Sequence, residues 1–261
     1  MMSNRLPLIL ANWKMNKNRS EIHEFLQAIT GKLPLTNLLQ VGVAAQSVYL
    51  EKMVDYVNHH QLPLDIFSEN LFYVNQGSYT GETSPAALVD IGVKGSIIGH
   101  YERRKLFKES NGSVGLKVAA SLKNGLLPLV AISEDTSTYD PTDIEMSPLT
   151  EIAISFAGID KKWASKIVVA YEPAWAIGSD RTPTLKEIEH AAKVIRQSLT
   201  VIFGSAAANQ IRIQYGGAVT PENAKAIFAL PNIDGLLIGR SSLVADNFLR
   251  IIDDALAVEK E

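Results

Sequence analysis

Glu172 ends an apolar run that begins at Ile167, is stiffened by Pro173, and precedes a glycine-bearing loop with one tryptophan that reaches Thr184. A carboxylate at the end of a buried strand, under a loop able to close over it, suits a base that abstracts a proton away from water. An ordinary surface glutamate at a strand–loop junction has the same local sequence, so the other polar strand ends must decide. Asn12 and Lys14 follow the first apolar run, and His100 lies in Gly99–Arg104 after the fourth. Gly216-Gly217-Ala218 follow the seventh and Gly239-Arg240 the eighth. An ammonium and an amide stabilise developing oxyanions, and an imidazole exchanges protons near neutral pH. Glycine-bearing turns present backbone N–H groups to an anion. Each also has a plain alternative: a solvated lysine, a hydrogen-bonded core histidine, a turn that tolerates positive φ. Their common place at strand ends gives them weight as a set.

The elements that must position them are legible as an alternation. Short apolar, β-branched runs recur at Leu6–Asn12, Val41–Ala44, Leu64–Phe67, Gly95–Ile98, Leu127–Ile132, Ile167–Ala170, Ile211–Tyr215 and Gly235–Ile238. Helical periodicity fills the gaps. Ile22, Phe25, Leu26 and Ile29 share one face, with Ser20 as the expected N-cap. Ser84-Pro85 and Thr220-Pro221 each set a hydroxyl before a proline at a first helical position. Thr184 and Glu187 form a capping box ahead of Ile188, Ala191, Ile195 and Leu199. Continuous apolar strands alternating with amphipathic helices imply a parallel sheet covered by helices. Eight units of about 30 residues fit an α/β fold, a single (β/α)8 TIM barrel of about 250 residues. An open doubly wound sheet would carry a G-x-G-x-x-G turn after its first strand, where this chain has Asn12-Trp13-Lys14-Met15-Asn16. No linker or change of composition divides residues 1–261, so one domain is expected.

Composition narrows the partners. The 261 residues are 46% hydrophobic and carry a net charge of −3, without the basic patch that nucleic acid demands. The apolar stretch at Leu6–Ala11 is too short for a signal peptide or a span of about 20 residues. A soluble, cytoplasmic protein without membrane partners is expected. With no cysteine in the chain, disulfides, thiolate metal sites and a thiol nucleophile are excluded. His59-His60 and His190 read as helix-surface residues. No histidine pair has the spacing of a helical metal site, and neither metal nor cofactor is expected.

Six segments together resemble the triosephosphate isomerase family along the whole chain: ANWKMN at 11–16, GSYTGE at 77–82, IIGHYERR at 97–104, AYEPAWAIG at 170–178, YGGAV at 215–219 and DGLLIGRSSL at 234–243. The resemblance implies the isomerisation of glyceraldehyde 3-phosphate and dihydroxyacetone phosphate through an enediolate. It makes Glu172 the base, His100 the neutral electrophile and Lys14 the cation that stabilises the enediolate and phosphate. Asn12 would fix the oxygen that Lys14 serves, and Glu102 would hold Lys14. Arg104 would be a structural ion-pair partner. The phosphate would rest on backbone N–H groups of Gly178, Ala218, Gly239 and Arg240, and residues 173–184 would be the lid. A homodimer is implied as well, with Thr80 of the GSYTGE loop buttressing Asn12 and His100 across the interface.

Four positions depart from the family pattern around the substrate. Tyr101 and Ala218 each replace a serine, and Asp180 and Arg240 each replace a glycine; residues 134–160 diverge too. The remodelled pocket keeps a second substrate open, a longer phosphorylated ketose such as a tetrulose phosphate. A non-catalytic barrel scaffold is disfavoured because the demanding groups remain. A metal-dependent epimerase would need several histidine and carboxylate ligands at strand ends, where only His100 supplies an imidazole.

Overall fold

The structure is a computed structural model that describes residues 5–35, 37–133, 146–176 and 181–259. Eight parallel strands close into a barrel in sequence order. They are β1 (Leu8–Asn12), β2 (Gln40–Ala45), β3 (Asp65–Ser68), β4 (Gly95–Ile98), β5 (Leu127–Ser133), β6 (Val168–Glu172), β7 (Arg212–Tyr215) and β8 (Gly235–Ile238). The ring is closed by β1 against β8, with Leu8 opposite Gly235 and Ala11 opposite Ile238. The expected (β/α)8 barrel is therefore the fold, and every apolar run of the sequence supplies a strand.

Side-chain alternation divides the core in two. Leu8, Leu10, Phe67, Ile97, Val168, Ala170 and Leu237 fill the barrel interior. Their neighbours Ile9, Ala11, Ile66, Ile98, Val169 and Ile238 face the helices. Successive strand residues point to opposite faces, so Asn12 and Glu172 continue the inward series at the ends of β1 and β6. Gly95 leaves room for the barrel's largest inward ring, since a Cβ there would meet the edge of Phe67.

The outer layer begins with α1 (Arg19–Ile29) and α2 (Leu50–His59), which pack Ile22, Phe25, Leu26, Met53 and Val54 onto the strands. Asn18, not Ser20, caps α1: its side chain accepts from the Ser20 and Glu21 amides, and Glu21 returns a bond to the Asn18 backbone. Ser20 therefore lies one residue inside the helix. In α3 (Pro85–Asp90), Ser84 accepts from the Ala87 amide as expected. Next come α4 (Tyr101–Phe107), α5 (Asn111–Lys123) and α6 (Met146–Ser155), the last from the divergent stretch. Residues 134–145 of that stretch lie outside the described residues. The Thr184–Glu187 capping box opens α7 (Leu185–Phe203), which leads into the short α8 (Ser205–Ala208). Thr220-Pro221 does not start a helix directly. It makes a turn in which the Thr220 carbonyl accepts from the Asn223 and Ala224 amides, and α9 (Ala224–Phe228) begins after it. Finally, α10 (Ala245–Glu259) closes the layer.

Candidate active site

The C-terminal ends of the strands surround a cleft of about 450 Å³ lined by Asn12, Lys14, His100, Glu172, Ala218 and Arg240, among others. Residues from β1, β4, β6, β7 and β8 thus converge although far apart in the chain.

His100 reaches the cleft by a local device. Ile97 points into the barrel and Ile98 outward, so strict alternation would send His100 to the outside. Gly99, with φ +70, breaks the alternation, and a side chain is strained in that conformation. The Gly99 carbonyl accepts from Arg104 Nε at 2.6 Å. Arg104 also bonds Asn111 and reaches the Ala131 carbonyl, which ties the turn to β5. Arg104 thus braces the turn that aims His100.

His100 then caps α4: Nδ1 accepts from the Glu102 amide at 3.2 Å. Its Nε2 lies 2.8 Å from Glu172 Oε1, while Glu172 Oε2 accepts from the Tyr101 amide at 3.1 Å. Glu172 is 2% exposed. Burial disfavours its charged form, yet His100 and the Tyr101 amide outweigh burial and hold the carboxyl below its ordinary range. Burial likewise disfavours the imidazolium, and the touching Glu172 carboxylate more than offsets it, so His100 is pushed up. Against that upward push stands Nδ1, which accepts a backbone N–H, something an imidazolium cannot do. The geometry therefore fits a neutral ring that carries its proton on Nε2 and donates it to a charged Glu172. The N-terminal end of α4 favours the neutral form as well.

Lys14 follows β1 with φ +54, uncommon for a residue with a side chain. Its amide donates to Asn12 Oδ1 at 3.2 Å, and its ammonium pairs with Glu102 Oε1 at 2.7 Å. Glu102 thus supports both Lys14, through its carboxylate, and His100, through its amide.

Two turns form the opposite wall. A Cβ on Gly217 would collide with the Tyr215 hydroxyl, so the glycine lets the turn lie flat on that ring. Ser241 Oγ donates to the Val219 carbonyl at 2.7 Å and joins the turns after β7 and β8. Trp13 Nε1 donates to the Ser242 carbonyl at 3.2 Å and anchors the second turn to the first strand's end. Ala218 and Arg240 are exposed, and the Arg240 guanidinium has no hydrogen bond or ion pair among the described residues.

Most of the expected site residues share this cleft, and Glu102 stands beside it. Gly178 and Asp180 lie outside the described residues. Thr80 is exposed on its loop and bonds neither Asn12 nor His100 within the chain. Two residues escaped the sequence reading. Ser241 links the two turns, and Glu69, directly after β3, stands behind Lys14 in a second cavity. The signal for Glu69 was available, because Glu69-Asn70 is a polar strand end like the others. A groove of about 490 Å³ between α1 and α2 is lined by His23, Asp55, Tyr56, His59 and His60, with no histidine–carboxylate contact there among the described residues.

The sequence model described as "Triosephosphate isomerase" matches residues 7–255. A triosephosphate isomerase of Streptococcus equi subsp. zooepidemicus is 37% identical over 249 residues, covering 95% of this chain and 98% of the relative. One from Streptococcus pyogenes serotype M49 is 38% identical with the same coverage. With its barrel and this match along nearly its full length, the chain belongs to the triosephosphate isomerase family.

Proposed function

We propose that the chain, as one barrel domain, is a triosephosphate isomerase that interconverts D-glyceraldehyde 3-phosphate and dihydroxyacetone phosphate in glycolysis and gluconeogenesis. The observation that carries the mechanism is the contact between a buried carboxylate and a neutral histidine, with a lysine on the same cleft. Glu172 is the base that takes the proton from the carbon beside the carbonyl. At rest it is quietened by His100 and by the Tyr101 amide. A substrate carbonyl that takes the Nε2–H of His100 removes the larger of these restraints while burial persists. Burial alone raises a carboxyl's proton affinity, so substrate binding itself sharpens the base. His100 polarises the carbonyl and passes protons between the enediolate oxygens. Lys14, held by Glu102, stabilises the negative charge, and Asn12 orients the oxygen that Lys14 serves.

The phosphate is received by backbone N–H groups of Ala218, Gly239 and Arg240. Gly178 would add another from the lid. The free guanidinium of Arg240 adds a charge-assisted contact, in a turn where the family has glycine. No cofactor or metal takes part in this mechanism, so a chelator should leave turnover unchanged.

A homodimer accords with the surface around the second cavity. Met15 is 86% exposed and Phe107 67%, beside a cavity of about 330 Å³ that Asn12, Lys14 and His100 also line. The exposed loop bearing Tyr79 and Thr80 on a second copy would fill it, with Thr80 against Asn12 and His100. A cytoplasmic location goes with this activity; among the described residues no helix is long and apolar enough to cross a membrane. Nothing in the cleft calls for nucleic acid.

Turnover of the purified protein on both triose phosphates and on a tetrulose phosphate tests the assignment. Triose phosphate turnover well above tetrulose phosphate turnover supports it. The reverse preference makes it the isomerase of the longer ketose, and no turnover of either leaves a barrel scaffold.

A further inference from the structure

Glu69 is the carboxyl near the reaction centre to which the mechanism gives no task. It follows the last residue of β3, Ser68, and lines the cavity of about 330 Å³ behind Asn12, Lys14 and His100. That cavity and the substrate cleft share these three residues, so Lys14 stands as the wall between them. Glu69 Oε1 is buried with no hydrogen-bond partner. The carboxyl faces the Lys14 backbone amide, the group that also donates to Asn12 Oδ1. This amide belongs to a residue held at φ +54, a conformation that persists only where its surroundings impose it.

The charges around Glu69 come from two directions. Lys14, at the end of β1, is attractive and Glu102, on α4, is repulsive, while His100 as a neutral ring adds no net charge. Arg103, on the same cavity wall, is spent on Glu109 at 3.0 Å. Lys14 already has one carboxylate, Glu102, at 2.7 Å. A second negative charge behind it opposes an incoming phosphate dianion.

We propose that Glu69 is a positioning residue for Lys14: its carboxyl accepts from the Lys14 backbone amide in either state, as a neutral acid it leaves the ammonium's charge to the substrate, and as a carboxylate it weakens phosphate binding. Burial, the largest influence, pushes the carboxyl up to about 7, the amide and ammonium of Lys14 oppose the shift, and Glu102 adds to it. A partner loop filling the cavity buries the group further, which acts in the same direction. The inference rests on Lys14 being the cation that meets the substrate.

Sulfate inhibition of the full chain between pH 6 and 9 provides the test, because the charge of sulfate is constant over this range. The wild-type inhibition constant should rise about threefold to tenfold across neutral pH, the size of a like charge added at about 10 Å in a high dielectric, with kcat nearly level. In Glu69→Gln the constant should stay flat. An unchanged wild-type slope in the variant overturns the proposal. Should the variant misfold, carbon-13 NMR of glutamate-labelled wild type still decides, and the absence of a carboxyl titrating near neutral pH also overturns it. The two readings fail separately. Without isomerase turnover the enzyme assignment falls, while direct sulfate binding, measured calorimetrically, and the NMR titration still judge Glu69.

Discussion

The two ends of the barrel treat charge in opposite ways. At the N-terminal end, buried Asp234 accepts from Arg5 at 2.7 Å, Arg196 at 3.0 Å and the Ile213 amide at 2.9 Å. Arg212 donates to Gln40 at 2.6 Å, and Gln40 in turn bonds Asp65 at 2.7 Å. Around Asp234 the charges answer one another. At the C-terminal end, Arg240 has no polar partner among the described residues, Glu69 Oε1 is unpaired and buried, and Glu172 leans on His100. Saturated charge reads as stability, and unsaturated charge reads as readiness for a ligand. In barrels of this kind the two ends divide in this way, chemistry at the C-terminal face and stability at the other.

The sharpest break of this comparison is Glu172→Gln at the reactive end. Removing a positioned general base costs about 10²–10⁴-fold in rate, so turnover should fall by that factor. Circular dichroism and sulfate binding should change little, since the amide keeps the shape and can still accept from Tyr101. A rate within tenfold of wild type would remove Glu172 from the role of base.

At the other end, Asp234→Ala should do the reverse. It leaves Arg196, itself buried, without its carboxylate, and breaking a buried ion pair in this way costs about 3–5 kcal/mol. Chemical denaturation should report this loss, while kcat and KM at 25 °C stay near wild type. A large change in KM with intact stability would mean that the two ends are not separate in function.

Glu69 breaks the pattern from within the reactive end, and its proton makes the cost depend on pH. Burial pushes its carboxyl from the ordinary 4.5 up to about 7, so the folded state binds the proton more tightly than the unfolded chain. The group's contribution is therefore most favourable below about pH 4.5, declines between there and 7, and is level above. One pKa unit is about 1.36 kcal/mol, which bounds the decline at about 3 kcal/mol. Glu69→Gln should melt close to wild type at pH 5 and clearly higher at pH 8. Parallel melting curves at the two pH values would show that Glu69 carries no such burden.

The sequence carries the frame of this comparison well, and its exceptions have physical causes. Strands buried on both faces are largely apolar, which makes all eight visible although β7 carries Arg212 and Gln214, and inward parity places Asn12 and Glu172 at the cleft. His100 defeats parity, and only the conformation of Gly99 explains its aim. The cap of α1 lies two residues before Ser20, where Asn18 followed three residues later by Glu21 makes a capping box. Thr220-Pro221 has the letters of a helix start but spends its carbonyl on a turn. Glu69-Asn70 marks a polar strand end in the sequence, but the burial of Glu69 behind Lys14 is a tertiary property. The unpaired state of Arg240 is likewise tertiary, since a sequence shows a cation but not the absence of its partner.

Arg240→Gly carries the smallest of the effects and bears on how the reactive end holds its phosphate. Ala218 lacks the hydroxyl that the family's serine would supply, and a hydrogen bond to a charged group is worth about 1.5–3 kcal/mol. The guanidinium lines the same cleft, where a charge-assisted contact would make up that loss. Being exposed, it remains partly screened by water, so its return lies at the low end of the range. Arg240→Gly should therefore weaken a phosphate-bearing inhibitor about tenfold, the equivalent of 1.4 kcal/mol. Raising the salt concentration should shrink the difference between wild type and variant, since a screened charge loses its advantage while backbone N–H groups keep theirs. Equal affinities at low salt would mean that Arg240 points away from the phosphate and that the backbone turns hold it alone.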